Sequence, residues 1–287
     1  MTNEQLLNRL NEDIRLRALS EYTHKTYTRN VRKFLEFCGN RNAETLDEKD
    51  GRAFLLHLMD ENKISNVTIN LYNTAIRFFF AVTLNRPVNY LQMPMTKRGT
   101  KLPELLTREE IHRRLVDECE NLKHKSWFLL AYGSGLRVSE IAALKVADID
   151  SQSMRVFVRG GKGKKDRYTI LSKACLQVLR KYWLEYRPKH PQNWLFPGVF
   201  PDGVESPDHI KIDAIERAFN RTVERIGVAK DVTIHTLRHC FATHLLEDGA
   251  SVFQIKELMG HATLRSTQRY IHLANSTTGL TSPADRR

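Results

Sequence analysis

The stretch 233-TIHTLRHCFATHLLEDGASVFQIKELMGHATLRSTQRYIH-272 holds most of the chain's chemically reactive side chains. Its apolar residues, Leu237 and Phe241 among them, recur at helical spacing and predict helices. His235 and Arg238 lie three residues apart, so both occupy one flank of the first helix, beside its apolar stripe. An imidazole and a guanidinium group are therefore predicted to project next to the core without being buried in it.

A glycine, a histidine and a tyrosine complete this stretch. His261 follows Gly260 directly, and Tyr270 comes nine residues later. A basic protein that places two imidazoles, an arginine and a phenol on neighbouring helices has the groups needed to handle a phosphate. The sequence therefore predicts a phosphate-directed site near its C-terminal end.

The composition predicts a globular protein with room for two domains. The chain has 287 residues, of which 41% are hydrophobic and 27% are charged. It has no apolar run long enough to span a membrane, and its N-terminus lacks the apolar core of a signal peptide. We expect a cytoplasmic protein with no membrane partner.

Charge and cysteine usage narrow the class of partner. The formal net charge of +12 favours a polyanionic partner over a small neutral ligand. Many cytoplasmic proteins are basic, however, so charge alone is only a modest indication of nucleic-acid binding. The four cysteines form no C-x-x-C pair, so we expect free thiols and no zinc site, and no other cofactor is indicated.

Residues 1–86 predict a helical domain. Its second helix has the clearest amphipathic stripe, and further helices are predicted near residues 6–14, 47–59 and 65–83. Basic residues occupy the remaining faces of the second helix, and they are Lys25, Arg29, Arg32 and Lys33. They either contact DNA phosphates or form a solvated face, and the sequence leaves both interpretations open.

Residues 87–106 break the helical pattern and predict a linker. Three prolines and one glycine interrupt the periodicity, and Lys97, Arg98 and Lys101 form a basic cluster. An extended basic linker between two basic domains is able to follow a phosphate backbone. An ordinary exposed tether would have the same composition.

The second domain, predicted over residues 107–273, begins with T-R-E-E, where Thr107 and Glu110 are spaced as a capping box. A later segment, GSGLRVSE at 133–140, interrupts a helix at two glycines just before Arg137. Arg137 is therefore predicted at a helix entrance. It either projects towards a ligand or pairs structurally with Glu140, three residues away.

The segments MRVFVRG and DRYTILS alternate apolar and polar residues and predict a β-hairpin around the turn GGKGKK. Lys162 and Lys164 lie in this turn. Glycines on both sides of Lys162 let the turn approach another surface closely, so Lys162 is the preferred functional lysine over Lys164 and Lys165. The turn lacks the G-x-x-x-x-G-K-[ST] pattern, which argues against a nucleotide site.

The remaining segments predict more helices, over about 173–186 and 207–226, with a small buried strand or turn at residues 194–196 between them. The polar residues 274–287 predict a flexible tail. The predicted fold is therefore mainly α. It has a four-helix N-terminal domain and an α-rich C-terminal domain that contains a small β-sheet or hairpin.

Five motifs, taken together and in this order, resemble the tyrosine recombinase (phage integrase) family. They are G-x-G-L-R-x-S-E at 133–140, Gly-Lys-Gly at 161–163, H-x-L-R-H at 235–239, L-M-G-H at 258–261, and Tyr270. The sequence is most similar to Xer-type and transposon-borne members. The resemblance covers nearly the whole chain, because the N-terminal helices are similar to that family's SAM-like core-binding domain.

The resemblance implies a role for each catalytic candidate. Tyr270 would attack a DNA phosphodiester, leaving a 3′-phosphotyrosyl bond and a free 5′-hydroxyl. Arg137 and Arg238 would bind the non-bridging oxygens, and Lys162 would protonate the departing 5′-oxygen. The remaining candidates, His235 and His261, would assist proton transfer and stabilise the phosphorane-like transition state.

The chemistry of these groups agrees with the implied roles. A free tyrosine has a pKa of about 10, so it attacks well at neutral pH only beside a base or nearby cations. Two arginines stabilise phosphate charge without a metal, and a phosphotyrosyl bond preserves the energy needed for rejoining without ATP. Neighbouring His239 and His244 are interpreted as structural, and His272 fits the family pattern less well than His261.

The implied partners are double-stranded DNA at paired recombination sites, a homo-tetramer on that DNA, accessory DNA-bending proteins and a Holliday junction intermediate, all at a bacterial-type nucleoid. One departure concerns the C-terminus, where relatives carry an apolar helix that docks on a neighbouring subunit. Here only Leu273 and Leu280 are available after Ile271. Two alternatives stay open, a type IB topoisomerase-like nicking-closing enzyme and a catalytically inactive DNA-binding factor. The intact set of motif residues argues against the second.

Overall fold

A computed structural model of the chain describes residues 1–62, 64–97, 104–160, 166–186, 190–200, 202–268, 270–271 and 273. The chain divides into two compact units, Met1–Lys101 and Leu102–Arg287. Regular structure in the described residues is mostly helical, and the strands form two small antiparallel sheets. The predicted mainly α fold is confirmed.

The first unit contains the four predicted helices. They are α1 (Asn3–Leu16), α2 (Glu21–Phe37), α3 (Glu48–Asn62) and α4 (Asn66–Phe78), and α4 continues as a π-helical turn, Phe79–Thr83. The side chains of Thr2, Ser20 and Ser65 accept backbone N–H groups at the starts of α1, α2 and α4. The apolar stripe of α2 forms part of the core, where the rings of Phe34 and Phe80 meet edge to face.

Residues 87–97 were predicted to belong to a linker, and in the structure they pack along α4. The Asn73 amide donates to the carbonyl oxygens of Met93, at 3.1 Å, and Pro94, at 2.9 Å. The Asn70 side chain accepts the Thr96 N–H at 2.9 Å, and Met93 is fully buried. Residues 98–103 lie outside the described residues, so the structure describes only part of the predicted linker, 87–106.

The helices of the second unit surround a central apolar helix. They are a π-helical segment (Glu110–Asp117), α5 (Leu122–Gly133), α6 (Val138–Ala142), α7 (Lys173–Tyr186), α8 (Ile212–Arg225), α9 (Ile234–Glu247), α10 (Val252–Met259) and α11 (Arg265–Gln268). Consecutive residues of α5 from Ser126 to Ala131 are all buried, because α7, α8 and α9 pack around it.

The predicted capping box is present, since Glu110 accepts the Thr107 N–H at 2.7 Å and Thr107 accepts the Glu110 N–H at 3.1 Å.

The predicted hairpin is confirmed as part of a three-stranded antiparallel sheet. Its strands are β1 (Ile149–Asp150), β2 (Arg155–Val158) and β3 (Arg167–Ile170), in that order across the sheet. In the β2–β3 register Val158 lies opposite Arg167. The turn at 161–165, which includes Lys162 and Lys164, lies outside the described residues.

A second sheet corrects one helix boundary. Strands β4 (Pro197–Val199) and β5 (Glu205–His209) pair antiparallel. The helix predicted to begin at about residue 207 was therefore wrong for residues 207–209, which belong to a strand. The strand persists because its backbone groups bond to the neighbouring strand, and the Ile210 N–H donates to the Phe196 carbonyl at 2.9 Å. None of the described helices is long and apolar enough to cross a membrane.

The glycines of the second unit provide a stability prediction. Gly135 has φ +63° and a Cβ at this position would overlap the Phe241 ring, whereas Gly249 has φ +90° and open space around it. We expect Gly135→Ala to lower the free energy of unfolding by about 3 kcal/mol, from left-handed backbone strain plus overpacking. Gly249→Ala should lower it by only about 1 kcal/mol, from backbone strain alone.

Urea unfolding followed by tryptophan fluorescence measures this difference. All three tryptophans, at positions 127, 183 and 194, belong to the second unit, so their fluorescence reports on the unit that carries both glycines. Equal losses of stability in the two variants would show that the Phe241 contact has no energetic effect.

Candidate active site

Arg137 lies at the entrance to α6, as predicted. Helix α5 ends at Gly133, and Gly135 turns the chain in a left-handed conformation so that Arg137 becomes the residue that precedes α6. The Arg137 N–H donates to Glu140 Oε2 at 2.8 Å, and its guanidinium Nη1 donates to Glu140 Oε1 at 2.7 Å. Arg137 therefore both pairs with Glu140 and projects from the helix entrance, because its side chain stays partly exposed.

Arg238 projects from α9 into the same region but is buried, with 5% of its surface exposed. It donates to the backbone carbonyl of Gly135 and, at 2.6 Å, to that of Met259. Burial, followed by the nearby charge of Arg137, lowers the pKa of Arg238 to about 9, although Glu140 opposes this shift. The guanidinium group is thus held by backbone oxygens from two separate segments.

Glu140 is the carboxylate that these cations share. Arg137 and Arg167 both donate to it, and Arg238 Nη1 lies 3.7 Å from its Oε2 atom. Burial would raise the pKa of Glu140, but the hydrogen bonds and charges of Arg167 and Arg137 outweigh it and lower the pKa to about 2. Glu140 is therefore ionised near neutral pH.

His235 occupies the first turn of α9, one turn before Arg238, and its side chain is exposed. Neighbouring protein atoms remove part of the water around the imidazole, and this desolvation lowers the pKa of His235. The charge of Glu216 raises the pKa, whereas the charges of Arg238 and Arg137 lower it. The neutral form of the imidazole is favoured, which suits a group that accepts or relays a proton.

His261 follows the end of α10, where Gly260 adopts φ +61° and closes the helix. Its Nδ1 atom lies 2.8 Å from the Thr267 hydroxyl. The His261 ring is nearly parallel to the Tyr270 ring, with 6.1 Å between centroids. The turn after α10 therefore brings the predicted histidine and tyrosine together.

Tyr270 is buried, with 2% of its surface exposed, in a small cluster with Phe241, Ile255 and Met259. Its hydroxyl lies 2.9 Å from Nδ1 of His239. The sequence alone favours a structural role for His239, but the structure places it against the hydroxyl of the predicted nucleophile. His244, which was also interpreted as structural, is hydrogen bonded to the Tyr132 hydroxyl at 3.0 Å.

Three residues of this site were missed or undervalued in the sequence. They are His239, Glu140 and Arg167. The i, i+3 spacing was the available signal for the Arg137–Glu140 pair, whereas no spacing rule connects Arg167 to Glu140, 27 positions away. Such contacts are set by the packing of strand β3 against helices, which local periodicity does not encode.

The other predicted site residues lie either outside the described residues or in the first unit. Lys162 and Lys164, together with Arg98 and Lys101, lie outside the described residues. Lys97 is exposed in the first unit, and so are the basic residues of α2, which are Lys25, Arg29, Arg32 and Lys33. The described residues contain no group of three His, Cys, Asp or Glu side chains arranged to hold a metal ion.

The arrangement defines a class of protein. Two arginines share a buried carboxylate, and in the same mainly helical unit a tyrosine has two imidazole rings close to it. Guanidinium groups bind phosphate oxygens in a forked geometry, and a phenol is a nucleophile for phosphorus. These groups are typical of a phosphoryl-transfer protein that carries a reactive tyrosine.

Comparison with known proteins gives the family. The phage integrase family matches residues 104–277, and the SAM-like N-terminal domain of phage integrases matches residues 6–90. An integrase/recombinase-like protein of Sinorhizobium fredii is 40% identical over 96% of this chain and 87% of its own length. The tyrosine recombinase XerA of Thermococcus kodakarensis is 37% identical over 89% of this chain and 86% of its own.

A solved structure gives the same fold. The XerH site-specific recombinase bound to a palindromic difH substrate aligns with a TM-score of 0.72 at 20% identity, over 90% of this chain and 78% of that one. The chain therefore belongs to the phage integrase family. It is a tyrosine recombinase, an enzyme of site-specific DNA recombination.

The depressed pKa of Glu140 predicts a dependence of stability on pH. Its value of about 2 lies below the ordinary 4.5, so ionised Glu140 stabilises the folded state fully above about pH 5, and this contribution is lost as the pH falls towards 2. Glu140→Gln should lower the free energy of unfolding at pH 7 by about 3 kcal/mol, because it leaves buried arginines without their carboxylate.

Urea unfolding between pH 7 and pH 4 tests this expectation. The difference from the parent protein should shrink as the pH falls below 5. Glu109→Gln is the matched control, because Glu109 pairs with Arg113 on an exposed surface and its loss should cost less than about 0.5 kcal/mol at every pH. A Glu140→Gln penalty that stays constant with pH would contradict the assignment.

Proposed function

We propose that this recombinase cuts and rejoins DNA strands at paired sites through a 3′-phosphotyrosyl intermediate and a Holliday junction. In the proposed division of the chain, residues 1–86 are the core-binding domain, 87–106 the linker, 107–273 the catalytic domain and 274–287 the tail. Arg137, Lys162, His235, Arg238, His261 and Tyr270 are its proposed catalytic residues.

The observation that carries this proposal is the meeting of two guanidinium groups and a tyrosine-bearing turn. Arg238 donates to the carbonyl of Met259, and Arg137 Nη2 lies 3.4 Å from the carbonyl of Gly260. The next residue is His261, which stacks on Tyr270. Both arginines therefore border the segment that holds the nucleophile.

In the proposed step, the Tyr270 hydroxyl oxygen forms a bond to phosphorus while the bond from phosphorus to the 5′-oxygen breaks. The phenol loses a proton, for which His239 is the hydrogen-bonded neighbour at 2.9 Å, and Lys162 supplies a proton to the leaving oxygen. Arg137 and Arg238 stabilise the charge on the non-bridging oxygens. Rejoining reverses these transfers, so no nucleotide is consumed.

The burial of Tyr270 adds a condition. With 2% of its surface exposed, the residue does not meet a phosphodiester in the arrangement seen here. Attack therefore requires the turn that follows α10 to rearrange when DNA binds. The enzyme would in this way keep its nucleophile away from water and from non-cognate DNA until a site is engaged.

The proposed partner is duplex DNA bound as a synapse of four subunits, with accessory DNA-bending proteins as further partners. The net charge of +12 and the exposed basic face of α2 support DNA binding. The related XerH structure was solved on a palindromic DNA substrate in a post-cleavage state. A palindromic site fits two subunits related by two-fold symmetry.

A covalent-capture experiment tests the chemistry. Lightly nicked genomic fragments of the source organism are incubated with the protein, adducts are recovered after denaturation in detergent, and the attached DNA is sequenced. A nick close to the cleavage point releases a short strand and traps the adduct. We expect the parent protein to retain specific DNA by its 3′ end, and Tyr270→Phe to retain none.

Further outcomes separate the alternatives. If Tyr270→Phe forms the same adduct, the proposed nucleophile is wrong. If the recovered duplex is cleaved but two copies never exchange strands, the enzyme is a nicking-closing enzyme of the topoisomerase IB type. Specific binding without any adduct would identify an inactive DNA-binding factor.

The arginines give a quantitative prediction on the recovered duplex. Arg137→Ala should slow single-turnover cleavage by about 100-fold to 1,000-fold, as expected for removal of a preorganised donor to the transition state. DNA affinity should change little, because many other phosphate contacts remain. A parallel loss of binding and cleavage would count against the catalytic role of Arg137.

The basic face of α2 predicts a salt dependence. Arg29 and Lys33 lie one helical turn apart and are exposed. If both contact phosphates, Arg29→Gln/Lys33→Gln should reduce the slope of log affinity against log salt by about 2, since each contact contributes about 0.9. The control Lys49→Gln/Arg52→Gln removes the same charge from exposed positions of α3 and should leave the slope nearly unchanged. A slope in the α2 variant equal to that of the parent protein would exclude a direct contact through α2.

A further inference from the structure

We infer that Arg167 is a positioning residue of the active site, acting through Glu140 on the phosphate-binding Arg137 and through α10 on the turn that carries His261. The inference rests on the proposed function. Arg167 itself contacts other protein groups, so its effect on the reaction is indirect.

The first observation is the geometry of its contact with Glu140. Arg167 Nη1 donates to Oε1 at 2.9 Å and Nη2 donates to Oε2 at 2.8 Å, which is a forked, two-bond contact. Its side chain is only 9% exposed and that of Glu140 only 7%. A forked pair in such a site fixes the plane and the rotation of the carboxylate.

The orientation of Glu140 in turn determines that of Arg137. Oε1 accepts from Arg137 Nη1 at 2.7 Å, and Oε2 accepts from the Arg137 backbone N–H at 2.8 Å. Each carboxylate oxygen therefore receives one bond from Arg167 and one from Arg137. Without Arg167, the carboxylate would be free to turn and pair more fully with Arg137, drawing its donors away from a phosphate.

The net charge of the cluster around Glu140 is a second reason to expect that Arg167 affects the reaction. Arg137, Arg167 and Arg238 contribute three positive charges around the single negative charge of Glu140, which leaves the cluster at +2. Loss of Arg167 would reduce the cluster to +1 in a site where solvent screens poorly. A phosphorane-like transition state carries more negative charge than the phosphodiester, so the additional cation favours the transition state.

The third observation connects Arg167 to α10. Its Nε donates to the carbonyl of Leu258 at 2.9 Å, an oxygen in the last turn of the helix that has no helical partner of its own. A Cβ built on Gly260 would lie 2.8 Å from Arg167 Cδ and 3.0 Å from Nε. Gly260 is therefore required both by its left-handed backbone and by the close passage of Arg167.

These contacts make Arg167 a junction between three elements. It is the first residue of β3. From there it reaches the carboxylate of α6 and the end of α10. The arginine proposed to bind phosphate and the helix that ends just before His261 are thus tied to one side chain.

The test compares two substrates made on the DNA duplex recovered by covalent capture. One has a normal scissile phosphodiester, and the other has a methylphosphonate there, which lacks one non-bridging oxygen and its charge. Removal of that charge relieves the need for an arginine that neutralises it. We measure single-turnover release of the 5′-hydroxyl strand, a rate constant that does not depend on the fraction of active protein.

We expect Arg167→Gln to slow cleavage of the phosphodiester by about 100-fold, as expected for a misplaced catalytic group. On the methylphosphonate, the same variant should fall within about 10-fold of the parent protein, and Arg137→Ala should show the same relief. Arg167→Lys, which keeps the charge but cannot form the fork, should lie between the two on the phosphodiester. Arg167→Lys is the milder change, so its cleavage rates on the two substrates test the inference if the glutamine variant folds poorly.

Arg155→Gln is the matched control, since Arg155 lies in the same sheet on an exposed position and pairs only loosely with Asp150, at 3.9 Å. It should cleave both substrates like the parent protein. An equal slowing of Arg167→Gln and Arg167→Lys on both substrates would show a general structural role and overturn the inference, as would full activity. If the parent protein itself forms no adduct, the proposed function fails before Arg167 is tested.

Discussion

The buried carboxylate of Glu140 is the group on which the second unit depends most. Three guanidinium groups from three different elements surround it, and each of these cations would repel the others without it. Its pKa of about 2 shows that the favourable charges and hydrogen bonds outweigh the cost of burial. The site therefore exists only as a balanced set, in which positive charge is concentrated around one carboxylate.

Backbone oxygens and glycines make that balance geometrically possible. Arg238 is oriented by carbonyl groups on both sides of the site, at Gly135 and Met259. Gly135 and Gly260 both adopt left-handed conformations and both allow a close neighbour, Phe241 in one case and Arg167 in the other. The glycines of the two sequence motifs thus serve packing as well as turning.

The tyrosine is placed under a different constraint from the arginines. The arginines are fixed by several bonds each, whereas Tyr270 follows the short helix α11 in a turn and is held by aromatic packing and by the His239 contact. In the proposed reaction the two phosphate-binding arginines are preorganised, whereas the buried Tyr270 has to move before it meets a phosphate. In this proposal, binding of the correct DNA assembles the reactive arrangement.

Periodicity was sufficient for most of the helices, the capping box at Thr107 and the hairpin, because these features depend on neighbours in sequence. Motif spacing also singled out Arg137 and Arg238, two of the three arginines now found near Glu140. The strand at 205–209 and the packing of residues 87–97 along α4 were not predictable in this way, since both depend on backbone partners distant in sequence. The same reason applies to the site. Residue types and local order indicated a phosphate-directed tyrosine enzyme, but only tertiary packing could bring Arg167 to Glu140 and His239 to Tyr270, because hydrogen bonds between distant segments exist only after the chain has folded.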